Sequence, residues 1–180
     1  LTFIPIGDSL NVTAVFESES INMMPSHILS DTTLQKIYSP YHATGHVRID
    51  SNACLIVEPG VEILMPQDKS IIVNGSIVIH GTVEEQVIIK PNLYSDTWGA
   101  VCIVNASHKS EVNHLKINGA SKGVDFTRDK AAISIYNSDV NLNAFSVENV
   151  EAPILAKYGR ITIKNCRLYT DYAGDLINIK

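Results

Sequence analysis

Acidic side chains and one guanidinium crowd two short stretches of this 180-residue chain. GVDFTRDK (123–130) carries Asp125, Arg128 and Asp129, and YTDYAGD (169–175) carries Asp171 and Asp175. Several carboxylates can hold Ca²⁺ while an Arg or Lys takes a proton from a substrate carbon. Two carboxylates on facing positions can hydrolyse a glycosidic bond, and their separation sets the stereochemical outcome. Asp is also a turn residue, because its side chain bonds nearby backbone groups. These five residues are therefore catalytic candidates set against a plain turn assignment.

A second set could bind without catalysing. Tyr94, Trp98, Tyr136, Tyr158, Tyr169 and Tyr172 offer planar faces on which sugars stack, and Trp98 could instead pack at a corner. His42 and His46 are four apart, the spacing of metal ligands on one helix face. YHATGH contains Gly45 and follows Pro40, so no helix is expected there. His108 and His114 straddle a turn with no third ligand. No metal or cofactor is expected, Ca²⁺ entering only with lyase chemistry.

The elements that must position these residues follow from composition and pattern. Apolar residues make up 45% and charged residues 18%, which suits one globular domain. The net charge of −5 argues against a nucleic-acid surface, which would show a basic stripe. No apolar run reaches the length of a membrane span. Cys54, Cys102 and Cys166 match neither a metal spacing nor a disulfide framework, and read as small core residues. Asn11-Val-Thr, Asn74-Gly-Ser and Asn105-Ala-Ser fit the N-glycosylation acceptor triplet, which arises often by chance and in a bacterial protein would normally mean nothing.

Asn74-Gly75 between apolar triplets is a strong hairpin signal. Translation argues for a corner instead. LIVEPGVEI (55–63) aligns with IIVNGSIVI (71–79) at a shift of 16, and VII (87–89) follows at the same shift. This places Leu55, Ile71 and Val87 in one column, with Pro59-Gly60 standing where Gly75-Ser76 stands. SDVNLNAFSVEN (138–149) falls on GRITIKNCRLYT (159–170) at a shift of 21, and Ile135, Ala156 and Ile177 keep that shift. Asp139 then lies over Arg160. GAVCIVNAS (99–107) matches AAISIYNSD (131–139) at a shift of 32, the excess being a bulging loop over 119–130. A hairpin relates residues by reflection, whereas a fixed translation means stacked, equivalent units. The expected fold is all-β: a right-handed, single-stranded parallel β-helix with coils of about 16–21 residues and an N-terminal hairpin or cap. Asn74, Asn105, Asn118, Asn137, Asn149 and Asn165 recur after strands, as a ladder stacked at one corner would require.

ACLIVEPGVEI, IIVNGSIVIHGT, VIIKPN and WGAVCI resemble a module of secreted bacterial right-handed β-helix proteins. The landmarks are Pro59-Gly60-Val61, Asn74-Gly75, Gly81-Thr82, Val87-Ile88-Ile89 and Trp98-Gly99. The resemblance covers about residues 38–180. Within that group the chain looks most like segments attached to spore-coat-kinase-like (CotH-like) domains, although no phosphate-handling residues of such a domain are recognisable. The likeness implies an extracellular or cell-surface location. The fold also hosts pectin lyases and polygalacturonases, but the Asn-Thr-Asp, Asp-Asp and Gly-His-Gly signatures of the latter are absent.

The expected organisation is a hairpin over 1–17, the tail of a preceding β-sandwich or a cover for the coil's end. An irregular cap or linker follows over 18–46, with Ser30-Asp31-Thr32-Thr33 capping a short helical turn through Lys36. The β-helix then runs over 47–180 with an uncapped C-terminal coil, which a continuing chain, a flanking domain or another chain would cover. The expected role is a non-catalytic scaffold for adhesion or for contact with a polysaccharide or cell-surface glycan. Two alternatives stand beside it: part of a polysaccharide lyase or glycoside hydrolase with catalytic coils beyond Lys180, or an assembly module pairing through its open end.

Overall fold

The computed structural model describes residues 21–170 and 175–179. The hairpin expected over 1–17 and the candidates Asp171 and Tyr172 lie outside these residues. Within them the chain winds as a right-handed parallel β-helix with three strands per coil. The first coil is β1 (Asn22–Met23), β2 (His27–Ile28) and β3 (Thr32–Leu34). The second is β4 (Tyr41–His42), β5 (Val47–Ile49) and β6 (Cys54–Val57); the third is β7 (Glu62–Met65), β8 (Ile71–Val73) and β9 (Ser76–His80). Then come β10 (Val87–Pro91), β11 (Val101–Val104) and β12 (Ser110–Asn113), followed by β13 (Leu115–Asn118), β14 (Ile133–Tyr136) and β15 (Val140–Asn143). The last strands are β16 (Ser146–Glu148), β17 (Ile154–Lys157), β18 (Ile161–Lys164), β19 (Arg167–Leu168) and β20 (Ile177–Ile179).

Every third strand belongs to the same sheet. Sheet A runs β1-β4-β7-β10-β13-β16-β19, sheet B runs β2-β5-β8-β11-β14-β17-β20, and sheet C runs β3-β6-β9-β12-β15-β18. All pairings are parallel, with no helical crossover, because each strand's partner arrives one coil later. Alternate residues point inward and stack into continuous, mainly aliphatic columns. One is Tyr41–Ile63–Ile89–Ile117–Val147–Leu168. A second is Ile28–Ile49–Val73–Ile103–Ile135–Ala156–Ile179, and a third is Leu34–Val57–Ile79–Val112–Leu142–Ile163. Most of these side chains are wholly buried, each contributing about 1.5–3 kcal/mol.

Asn74-Gly75 is a corner. Ile71–Val73 belongs to sheet B and Ser76–His80 to sheet C, so the two do not pair. The register at a shift of 21 matches the structure: Val140 pairs with Ile161, Leu142 with Ile163 and Val147 with Leu168. The shift of 32 also matches, Val101 pairing with Ile133.

The shift of 16 does not. Leu55 pairs with Ile77, Ile71 with Val101 and Val87 with Leu115, so Leu55, Ile71 and Val87 stand on three different sheets. Coil length is also wider than expected, from Asn22 over Tyr41 (19 apart) to Val78 over Glu111 (33 apart). Ile177 sits over Ile154, and Ala156 meets Ile179 instead.

Residues 18–46 are not an irregular cap where described, since β1 to β4 already form coil from Asn22 onward. Thr32 and Thr33 lie in β3, and the short 3₁₀ turn Lys36–Tyr38 has no side-chain cap. The Asp31 carboxylate accepts instead from the Cys54 amide, 2.9 Å away in the next coil.

Corners are held by two devices. Left-handed residues recur at equivalent places: Asn105, Asn137 and Tyr158 between sheets B and C, and His114, Ala144 and Asn165 between sheets C and A. Asn tolerates this conformation better than most residues. Asparagine ladders then join successive coils. Asn137 donates to Asn105 (3.0 Å), Asn149 to Asn118 (2.9 Å), and Asn165 to Asn143 (3.0 Å), which itself donates to Asn113 (3.1 Å). The ladders thus occupy three corners and not the one expected.

Close backbone approach needs glycine at Gly75, where a Cβ would collide with the carbonyl oxygens of Ala53 and Asp50. At Gly60 the constraint is a φ of +74° beside the flexible Lys36 side chain. Gly75→Ala is expected to lose about 3 kcal/mol or more by overpacking, and Gly60→Ala about 1–2 kcal/mol of left-handed strain. Urea unfolding of both variants measures the order; equal losses contradict it.

His46 links two coils through Nδ1, which accepts from the Ser70 amide at 3.1 Å. Burial, then Lys69 and Arg48, hold its pKa below the ordinary 6.5. The folded state therefore resists protonation, and the stability this gives is present above pH 6.5 and lost as pH falls through the lower folded value. Urea midpoints at roughly pH 7.5 and 5.5 should drop for the native chain. The drop should shrink in His46→Asn, whose carbonyl accepts without titrating.

Candidate functional site

The segment between β13 and β14 (119–132) leaves the coil and folds back over the outer face of sheet B. Outward-facing Ala100, Cys102 and Val104 beneath it are buried in a small apolar cluster outside the main core, with Tyr136 packed against them. The loop is folded by an ion pair between its adjacent residues Arg128 and Asp129, and the Asp129 carboxylate sits against Cys102 of the sheet. Arg128 Nε and Nη2 donate to the two carboxylate oxygens of Asp129 at 2.8 and 3.1 Å. The Asp125 amide donates to Asp129 Oδ2 at 3.1 Å, and the Gly123 amide to the Asp129 carbonyl at 2.8 Å. Asp129 is only 1% exposed, so the bidentate pairing and the one backbone donor, the Asp125 amide, are what make its burial tolerable. A Cβ at Gly123 would strike Cys102 Sγ and Asp129, which leaves glycine as the residue that lets the loop close. Burial, then the neighbouring Asp129 charge, pushes the Cys102 thiol pKa up, so this cysteine stays a neutral packing group.

Beside the loop lies a groove of about 610 Å³. Asp125, Thr127, Arg128 and Lys130 come from the loop, Tyr136 from β14, Leu155 and Lys157 from β17, and Asp175 and Asn178 from the chain around β20. Tyr136 packs edge-on against Tyr158 (5.5 Å between centroids), and the Arg128 guanidinium lies 5.7 Å from the Tyr136 ring. Lys157 Nζ lies 5.3 Å from the Tyr158 ring. Asp125 is ordered by its own turn, Thr127 Oγ1 and the Thr127 amide donating at 2.6 and 2.9 Å, and these bonds hold its carboxyl below the usual range. Asp175 accepts from Asn178 Nδ2 at 3.3 Å. Charge, hydrogen-bonding groups and one supported aromatic edge thus share a single open surface.

Of the catalytic candidates, Asp125, Arg128 and Asp175 line this groove. Asp129 is turned inward and saturated by Arg128, so it is a loop anchor. Of the aromatic candidates among the described residues, only Tyr136 lines the groove, with Tyr158 alongside. Trp98 is wholly buried, its indole N–H donating to the Asn118 carbonyl at 2.8 Å, which corrects its assignment as a ligand-binding residue. Tyr94 (92% exposed) and Tyr169 (60% exposed) lie outside the groove lining. Among the described residues no group of His, Cys, Asp and Glu is arranged to hold a metal ion, and no helix is long and apolar enough to cross a membrane. Asp139 and Arg160 do meet, at 2.5 Å, as a surface pair.

Lys130, Lys157 and Asn178 were not singled out in the sequence. Lys157 was reachable, since Tyr136 pairs with Lys157 at the same shift of 21 that aligns the neighbouring face.

No family model matches the chain, and no solved structure matches it. It is similar to a protein of Drosophila melanogaster called Protein bark beetle, with 30% identity over 90 residues. That match covers 50% of this chain and 3% of the Drosophila protein, so the chain spans a small fraction of its relative's length.

Asp129→Ala removes the buried carboxylate and leaves Arg128 only its longer contact with Asp125 Oδ2, at 3.7 Å. A fully buried pair broken on one side loses about 3–5 kcal/mol, and the partial exposure of Arg128 lowers the expectation to about 1–3 kcal/mol. Maleimide labelling followed by peptide mapping should show Cys102 protected in the native chain and modified faster in Asp129→Ala. Unchanged protection would mean the ion pair does not hold the loop.

Proposed function

We propose that this chain is a non-catalytic β-helix segment of a larger extracellular or cell-surface protein, and that it contacts glycans through the groove beside 119–132. Its role is that of the secreted β-helix proteins its coils resemble: a rigid, elongated support presenting a lateral surface to a polymer. The observation that carries the reading is the convergence of Tyr136, Arg128, Lys130, Lys157, Asp125 and Asp175 on one groove. An aromatic face beside several donors and acceptors is the combination that grips a sugar ring, the plane meeting its C–H face and the polar groups its hydroxyls.

The carboxylates favour binding over bond cleavage. Thr127 keeps Asp125 ionised, whereas a general acid needs a raised pKa to carry a proton near neutrality. Asp129 has both oxygens on Arg128 and is not free to serve as the second carboxylate.

The chain is to be incubated with a panel of neutral and acidic polysaccharides, with and without Ca²⁺. Co-sedimentation, new reducing ends and unsaturated products are recorded. The expected result is binding without cleavage, weakened roughly tenfold by Tyr136→Ala; because that ring also packs on the Ala100–Cys102–Val104 cluster and Tyr158, binding is compared at a temperature where both chains are folded. Cleavage by the native chain would replace this reading with a lyase or hydrolase. Failure to bind any polymer would remove the glycan contact.

A further inference from the structure

Two acceptor triplets fall among the described residues, and the fold treats them oppositely. In Asn74-Gly75-Ser76 all three residues are closed in. Asn74 Nδ2 donates to the Val104 carbonyl at 2.9 Å, and Asn74 Oδ1 accepts from Arg48 at 3.3 Å. Gly75 is walled by the Ala53 and Asp50 carbonyls, and Ser76 is 6% exposed. A sugar on Asn74 Nδ2 would have to enter between adjacent coils. In Asn105-Ala106-Ser107 both Asn105 and Ser107 are exposed. The Asn105 carboxamide uses its oxygen, accepting from Asn137 Nδ2 at 3.0 Å. Its left-handed φ of 48° places it on the turn between sheets B and C. Beside that turn lies a hollow of about 320 Å³ lined by Ser107, His108, Lys109, Asp139 and Tyr158.

We infer that Asn105 is a site of N-linked glycosylation and that Asn74 is not, in the folded, secreted chain. The inference rests on the extracellular placement proposed above and is independent of what the groove binds. The co-reactant is an oligosaccharide linked to a lipid diphosphate. The bond from sugar C1 to the diphosphate oxygen breaks, a C1–Nδ2 bond forms, Asn105 Nδ2 gives up one proton, and the lipid diphosphate departs; nothing is oxidised or reduced. The product keeps its carbonyl oxygen, so the ladder bond from Asn137 survives the modification. The matched Drosophila protein belongs to an animal, whose secretory pathway carries out this transfer on such triplets.

The test is secretion of the 180-residue chain from insect cells behind an added signal peptide. Enzymatic deglycosylation in ¹⁸O-labelled water, followed by peptide mass spectrometry, scores each triplet separately. Asn105 is expected to carry the label in most of the folded monomer, and Asn74 in none. Ser107→Ala and Asn105→Gln should each abolish the label at residue 105, and Ser107→Ala keeps the asparagine ladder. Secreted monomer unmodified at Asn105, or folded monomer modified at Asn74, overturns the inference. The glycan-contact reading fails separately, through loss of co-sedimentation by protein made without glycosylation.

Discussion

Each strand of this molecule satisfies its backbone hydrogen bonds with a strand one full coil away, and everything else follows from that pairing. A parallel neighbour in register places like side chains above one another. Inward columns must therefore be mainly aliphatic all along the stack, as Ile63, Ile89 and Ile117 are. Outward columns are free to vary. Corners come under the same stacking rule, because a bend in one coil must nest on the bend below it. Asparagine fits that demand twice: its backbone tolerates the left-handed turn, and its carboxamide donates to its copy in the adjacent coil. No buried side-chain polar atom is left without a partner among the described residues, which is what a solenoid with so many turns needs.

The rule constrains strands far more than the loops between them. A coil can lengthen at a corner without disturbing the ladder, provided the excess folds outward. The 119–132 segment does this and brings its own anchorage, the Arg128–Asp129 pair set against Cys102 and Gly123. Excursion and groove are one event: the loop makes one wall, and the outward residues of β14 and β17 make the floor. Functional surface on such a scaffold is therefore expected where coil length jumps, since a regular stretch of stack offers only a shallow flank.

Legibility varied along the chain for a physical reason. Between β14 and β18 the corners are short and of constant length, so translation by 21 residues maps each strand onto its true neighbour. From β6 to β10 the corners differ, and the shift of 16 compared strands on three different sheets. The strings matched because every face imposes the same alternation of inward aliphatic residues. The first coil was missed because β1 and β2 are only two residues long, too short for a period to register. Trp98 offered a sugar platform by residue type and corner packing by position; the structure buries it in the core, with its backbone bridged to Ala120 in the next coil.

From the sequence alone came the solenoid itself, the corner at Asn74-Gly75, the bulging loop, the Asp139–Arg160 contact and the asparagine turns. These are properties of pattern, and pattern is set by burial of alternate residues. The tertiary structure decided which columns are real, where coiling begins, and that Asp125, Arg128, Tyr136 and Asp175 share one groove while Asp129 turns away from it. Those residues are as many as 50 positions apart, from Asp125 to Asp175, and their meeting depends on the summed lengths of the corners between them. Corner length carries no periodic signal, so only the folded chain could fix it.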